Sequence, residues 1–163
     1  MNTGRFTRPA MSWPWISTAA RLGLAAVWLI AGGAKAGDLA ASGRAVNAYQ
    51  LMPYDVARVL GAALPFLEIG LGMLLLAGLA VRLSAGISAF LLVVFIAGVV
   101  SAWSRGLAID CGCFGSGGEL AAGQSPTYGT EILRDLGFLA LAGVLLWRPR
   151  SRFSVDGLLE RSP

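Results

Sequence analysis

Apolar residues cluster along this chain in four long blocks, at about residues 16–34, 56–80, 83–103 and 131–147. Each block is near the ~20 apolar residues that carry a tilted helix across a bilayer. Backbone amides in lipid must find partners within their own segment, so the pattern predicts helices. A membrane barrel would need shorter, alternating segments. Only Arg82 interrupts the stretch between the second and third blocks, which predicts a short turn and an antiparallel pair of helices. The other connections are longer. Residues 106–129 are rich in Gly, Ser and Pro and read as loop, and 39–51 carries a weak pattern for a short interfacial helix before Pro53. The Gly33-x-x-x-Gly37 spacing lies at a helix end and reads as the start of a loop.

The expected fold is all-α: an integral membrane four-helix bundle over residues 16–147. A cytoplasmic segment, 1–15, precedes it and a basic cytoplasmic tail, 148–163, follows. Composition agrees. Of 163 residues 56% are hydrophobic and 13% charged, and a soluble domain carries roughly twice that charged share. Trp13, Trp15, Trp103 and Trp147 fall near the block ends, where indole rings favour the membrane interface.

The net charge of +4 changes the picture only through its distribution. Basic residues lie at segment ends, with no basic stripe interleaved with aromatics, which argues against nucleic-acid binding. Arg5, Arg8, Arg82, Arg148, Arg150, Arg152 and Arg161 gather on one side. Lys35, Arg44 and Arg105 lie on the other, offset by Asp38, Asp110 and Glu119. The rule that places basic loops inside predicts both termini in the cytoplasm. It also places the 104–130 loop on the exoplasmic face of the cell (plasma) membrane. A competing reading of the first block is a cleaved signal peptide, with Ala34-Lys35-Ala36 as the cleavage motif. The block is long for a signal core, and Arg21 would be unusual within one.

Histidine is absent. Histidine-ligated haem, zinc, blue copper and di-iron sites therefore lose their usual ligand, and a histidine general base is excluded. No metal site is expected. Chemistry falls to thiols, carboxylates, tyrosines or a bound cofactor.

The two cysteines, Cys111 and Cys113, stand in Ile109-Asp110-Cys111-Gly112-Cys113-Phe114-Gly115. In an extended chain their Cα atoms would be about 6.6 Å apart, near the upper edge for a disulfide. Closing a bridge needs a bend that Gly112 is suited to supply. So small a ring is strained and easily reduced, and it removes little unfolded-state entropy. A switching pair is favoured over a structural staple or an incidental disulfide. Asp110 beside Cys111 opposes thiolate formation if close, or serves as proton acceptor or loop cap; Arg105 offsets it only if the loop folds back.

Glu68 lies near the expected bilayer centre, where an ionisable group is costly and faces the bundle interior. Arg21 and Arg134 are candidate partners. Its readings are proton transfer, a quinone-like ligand site, or a buried polar contact that fixes packing. Arg134 and Asp135 open the fourth block as an interfacial anchor or as part of that site. Arg21 reads as a side chain that snorkels to the cytoplasmic face.

The run Asp110-Cys111-Gly112-Cys113-Phe114-Gly115 resembles the DoxX-like membrane proteins, in particular the methylamine utilisation MauE branch. Leu64-Pro65-Phe66-Leu67-Glu68-Ile69-Gly70-Leu71-Gly72 looks like that family's second helix. Arg21-Leu22-Gly23-Leu24 through Gly33-Ala34-Lys35 looks like its first, and Arg134-Asp135 occupies a polar position opening its fourth. The resemblance covers about residues 21–147. It implies a four-helix bundle and a role in exoplasmic thiol–disulfide handling beside a thioredoxin-like or disulfide-containing partner. The wider group implies a quinone as redox partner. The chain departs from vitamin K epoxide reductase-like proteins, because it lacks a Cys-x-x-Cys pair and a second shuttle pair. The expected function is thiol–disulfide exchange at Cys111 and Cys113, with electrons passing to or from a quinone. The alternative is a non-catalytic subunit or assembly factor of a larger membrane complex. A transporter is disfavoured, since no inverted repeat or broken helix pair is visible.

Overall fold

A computed structural model describes residues 13–112, 117–121, 123–149, 151 and 154–156. Five helices follow in order: α1 (Trp13–Ala36), α2 (Leu39–Ala48), α3 (Tyr54–Ala77), α4 (Val81–Ser104) and α5 (Tyr128–Trp147). A two-residue hairpin, β1 (Ile109–Asp110) with β2 (Gly118–Glu119), interrupts the run between α4 and α5. Its strands are antiparallel, with Ile109 opposite Glu119 and Asp110 opposite Gly118. The long helices match the four expected blocks to within three residues at each end; α3 stops at Ala77, three residues before the expected 80, and Arg82 lies in the first turn of α4 rather than in the connection. Arg5, Arg8, Arg150, Arg152, Arg161 and Cys113 lie outside the described residues.

Three helices, α1, α3 and α4, are long and apolar enough to cross a membrane. The fourth block falls short for a physical reason. α5 carries Glu131, Arg134 and Asp135 in its first two turns, so nearly its whole length includes three charges. The surface is that of a membrane protein. Phe90, Phe66, Leu83 and Val59 are each more than 60% exposed, which a water-facing surface does not tolerate as a contiguous band.

Inward stripes recur every three or four residues, the spacing of one helix face. On α1 the stripe is Arg21, Leu24, Trp28, Ala31 and Lys35; on α3 it is Ala57, Gly61, Pro65, Glu68, Leu71 and Leu75. The two stripes face each other along the most extensive helix contact in the molecule. Leu24, Trp28, Leu71, Leu75, Leu92 and Leu145 form the main core. Trp28 is fixed within it by a hydrogen bond from its indole Nε1 to Ser88 Oγ, 2.8 Å long.

Close approach depends on two glycines. A Cβ on Gly32 would sit 2.7 Å from the Pro65 carbonyl oxygen, and one on Gly61 would sit 2.5 Å from the Ser42 carbonyl oxygen. Gly61 thus seats α2 on α3. Gly33 and Gly37, by contrast, face open space, so the packing glycine is Gly32 and not the Gly-x-x-x-Gly pair. The expected start of a loop there is also displaced, because α1 continues to Ala36.

At one end of the bundle the α3–α4 turn is clasped from two sides. Arg21 does not snorkel; it is buried, and its Nη1 donates to the Leu75 and Leu76 carbonyls at 2.8 and 3.0 Å. A cation there satisfies helix-terminal carbonyls and opposes the helix dipole. Asp156 accepts from the Ala80 and Val81 amides at 2.9 Å each, capping α4. The region after α5 is therefore tied back onto the bundle at this point.

Gly61→Leu is expected to lower stability by about 1–3 kcal/mol through overpacking at the α2–α3 contact. Gly33→Ala should be neutral or slightly stabilising. Thermal unfolding of the detergent-solubilised protein followed by helical circular dichroism checks both.

Candidate functional site

The cysteine loop leaves α4 at Ser104 and is pinned before it reaches Cys111. The Tyr128 hydroxyl donates to the Leu107 carbonyl and accepts from the Ile109 amide. Tyr128, Val99, Ala102, Ala48 and Ile109 form a small second core beneath it. The Tyr49 hydroxyl donates to the Cys111 carbonyl at 3.1 Å. Asp110 Oδ1 accepts from the Gly112 amide at 3.2 Å, so this carboxylate caps the loop, one of its expected roles. Gly112 has φ +67°, which supplies the expected bend, and a Cβ there would lie 2.9 Å from Gly117 Cα. Only glycine meets both conditions.

The cation beside the sulfur is not Arg105. That side chain turns to the carbonyls of Ser101 and Tyr49, tying α4 to the α2–α3 connection. Arg134 takes the place instead. Its Nη2 lies 3.5 Å from Cys111 Sγ and its guanidinium pairs with Asp135 Oδ1 at 3.0 Å. A guanidinium at that distance favours negative charge on sulfur. Glu131, one turn before Asp135 on the same helix, joins the cluster. Ligand-type atoms of Asp110, Cys111 and Glu131 all lie within 4.8 Å of one another. Glu131 is buried; its Oε1 accepts from the Thr127 hydroxyl at 3.2 Å, and its Oε2 has no hydrogen-bond partner among the described residues. Three such atoms at that spacing could approach a metal ion, but the fixed positive charge of Arg134 beside the sulfur works against a cation. The arrangement suits proton and electron-pair movement at a thiol better.

Glu68 is fully buried, and its partner is neither Arg21 nor Arg134. Lys35 Nζ contacts Glu68 Oε1 at 2.6 Å, with the two side chains 6% and 0% exposed. Arg21 is held by the far end of α3 and Arg134 by the cysteine loop, so neither reaches. Glu68 Oε2 has no hydrogen-bond partner among the described residues. The Lys35 ammonium also lies 5.9 Å from the centroid of the Phe95 ring.

A cavity of about 360 Å³ joins the two polar centres. Lys35 lines one part of it and Cys111 with Gly112 another; Tyr49, Leu64 and Phe95 are among the residues between. The structure thus brings Asp110, Cys111, Arg134 and Asp135 together, and sets Glu68 apart, across an apolar chamber. The position of Cys113 falls outside the described residues.

Three participants escape a reading of the sequence. Lys35 looks like a loop charge, although its seven-residue spacing from Trp28 places it on the buried stripe of α1. Glu131 looks like a helix-start acid, although it precedes Arg134 and Asp135 by three and four residues and so shares their face. Tyr49 carries no local signal, because its contact spans 62 residues.

Fold and loop together define a multi-pass helical membrane protein that presents a cysteine loop at one end of its bundle. Residues 13–148 match the family of the methylamine utilisation protein MauE, and the chain belongs to that family. No curated protein and no solved structure matches it.

Removing one member of a buried ion pair strands the other charge, at about 3–5 kcal/mol. Lys35→Met is therefore expected to destabilise strongly, and Lys35→Met/Glu68→Leu to recover most of the loss. Parallel denaturation of the two variants measures the difference.

Proposed function

We propose that this protein carries out thiol–disulfide exchange at the exoplasmic face of the plasma membrane, through Cys111 and Cys113. In this reading α5 spans the bilayer as the fourth helix, both termini are cytoplasmic, and a lipid-soluble quinone is the second redox partner. The distribution of basic residues supports the orientation. The methylamine-utilisation context of the family supports the redox role. The observation that carries the proposal is the Cys111 sulfur, held 3.5 Å from the Arg134 guanidinium, in a residue that lines an apolar cavity.

The step balances as follows. A thiolate on a thioredoxin-like or disulfide-containing partner attacks one sulfur of a Cys111–Cys113 disulfide. The S–S bond breaks, the other cysteine leaves as thiolate, and a mixed disulfide forms. A second partner thiolate attacks the mixed disulfide, which leaves the partner oxidised and Cys111 and Cys113 reduced. Two electrons and two protons then pass from the dithiol to the quinone, and the Cys111–Cys113 bond re-forms. Arg134 stabilises the thiolate at Cys111, and Glu131 is placed to take or return the thiol proton. Asp135 orients Arg134. The reverse direction uses the same groups.

A non-catalytic role in a larger membrane complex remains the second reading, favoured by the few polar groups on the bundle surface. The two separate on cysteine loss. Cys113→Ser, which keeps the sulfur contacted by Arg134, leaves a Cys111 thiolate that can attack a partner's disulfide but has no neighbour to release it, so a mixed disulfide with an oxidised partner is expected to accumulate on non-reducing gels. If neither cysteine variant alters partner disulfides, the exchange reading fails. In the Cys113→Ser background, Arg134→Gln should slow alkylation of Cys111 near neutral pH by about tenfold or more, because the cation that favours thiolate is gone.

A further inference from the structure

We propose that the cavity bordered by α3 and α4 binds the head group of a lipid-soluble quinone, which reaches it sideways from the bilayer. This rests on the thiol–disulfide role proposed above and assigns the place and the contacts of its redox partner.

The position of the cavity points outward to lipid. Leu60, Ala63, Leu67 and Val94 line it and are also exposed on the bundle surface. α3 packs far more extensively on α1 than on α4, so the wall between α3 and α4 is the thin one. A volume of about 360 Å³ lies within the ~300–1,000 Å³ of small-molecule pockets. It suits a substituted six-membered ring with the first part of an isoprenoid tail.

The polar groups select the occupant. Lys35 lines the cavity while only 6% exposed. An ammonium has three hydrogens to donate, and Glu68 is its described side-chain hydrogen-bond partner. A buried cation with donors to spare calls for an oxygen acceptor within an otherwise apolar ligand. Phe95 and Tyr49 offer ring faces for a flat head group. Cys111 on the same wall calls for a ligand that accepts electrons. A phospholipid acyl chain meets the apolar requirement alone. A quinone meets all of them: its carbonyl oxygen takes a hydrogen bond from Lys35, and its ring faces the reacting sulfur. Two S–H bonds break and one S–S bond forms, while the two quinone carbonyls gain two electrons and two protons to become hydroxyls.

The test uses the full-length protein in lipid nanodiscs with a photoreactive azido-benzoquinone carrying a short isoprenoid tail. Peptide mapping is expected to place the label on α3 and α4 around Leu64 and Phe95, with competition by an unlabelled short-chain benzoquinone. Ala63→Trp, which fills the mouth, and Lys35→Met/Glu68→Leu, which keeps the core neutral, should each weaken binding by about tenfold or more. Label that is not competed, or that survives Ala63→Trp unchanged, overturns the site. So does a photoreactive phospholipid that occupies the same residues and is not displaced by quinone, which marks the cavity as an acyl-chain groove. Unchanged affinity in the double variant overturns the assignment of Lys35. Lost quinone binding with partner exchange intact sinks this proposal alone; intact binding with no exchange at either cysteine sinks the thiol–disulfide role alone.

Discussion

The buried contact between Lys35 and Glu68 is the constraint around which the rest is arranged. Neither charge could lie in this apolar setting alone, since an unpaired ion there carries a desolvation cost of several kcal/mol. Each therefore dictates where the other must be. The pair fixes the register of α1 against α3, and with it the close seam at Gly32 and Pro65. It also forces α1 to stay helical through Ala36, which leaves only a tight turn before α2. α2 is then delivered to α3 where Gly61 lets the two backbones approach closely.

That chain of placements reaches the thiol. Tyr49 follows α2 directly, and its hydroxyl holds the backbone of Cys111. Arg134 and Glu131 approach the same loop from α5, and Tyr128 anchors its start. The loop around the sulfur is thus held from two other parts of the chain, the end of α2 and the start of α5. Its environment is set by tertiary contacts, while the loop itself contributes the bend at Gly112 and the cap at Asp110. The described part of the loop thereby presents one defined electrostatic surrounding at Cys111.

The fold was legible because lipid imposes simple rules. Long apolar blocks predict helices, and Arg82 alone between two of them predicts the tight α3–α4 turn. The bend at Gly112 was legible too, from the demands of two cysteines one residue apart. The partner of Glu68 was not. Arg21 and Arg134 look better qualified than a lysine beside a glycine at a helix end, and only the stripe through Trp28 hints that Lys35 faces inward. Arg21 was misread for a related reason. A buried arginine that satisfies helix-end carbonyls and a snorkelling arginine occupy the same kind of sequence position, and the difference lies in the neighbour, α3. The charges of α5 have a use that composition does not show: Glu131 and Arg134 gather at the cysteine loop, and Asp135 pairs with Arg134.

The clasp at the α3–α4 turn gives the molecule two unlike ends. There the guanidinium of Arg21 and the carboxylate of Asp156 plug the carbonyls of one helix and the amides of the next, so the turn has little freedom to part. The opposite end is tied by side chains to loop backbone instead: Arg105 to the Tyr49 carbonyl, and the Tyr49 and Tyr128 hydroxyls to the Cys111 and Leu107 carbonyls. Severing the segment around Asp156 would therefore expose the first amides of α4 while leaving the thiol's surroundings untouched.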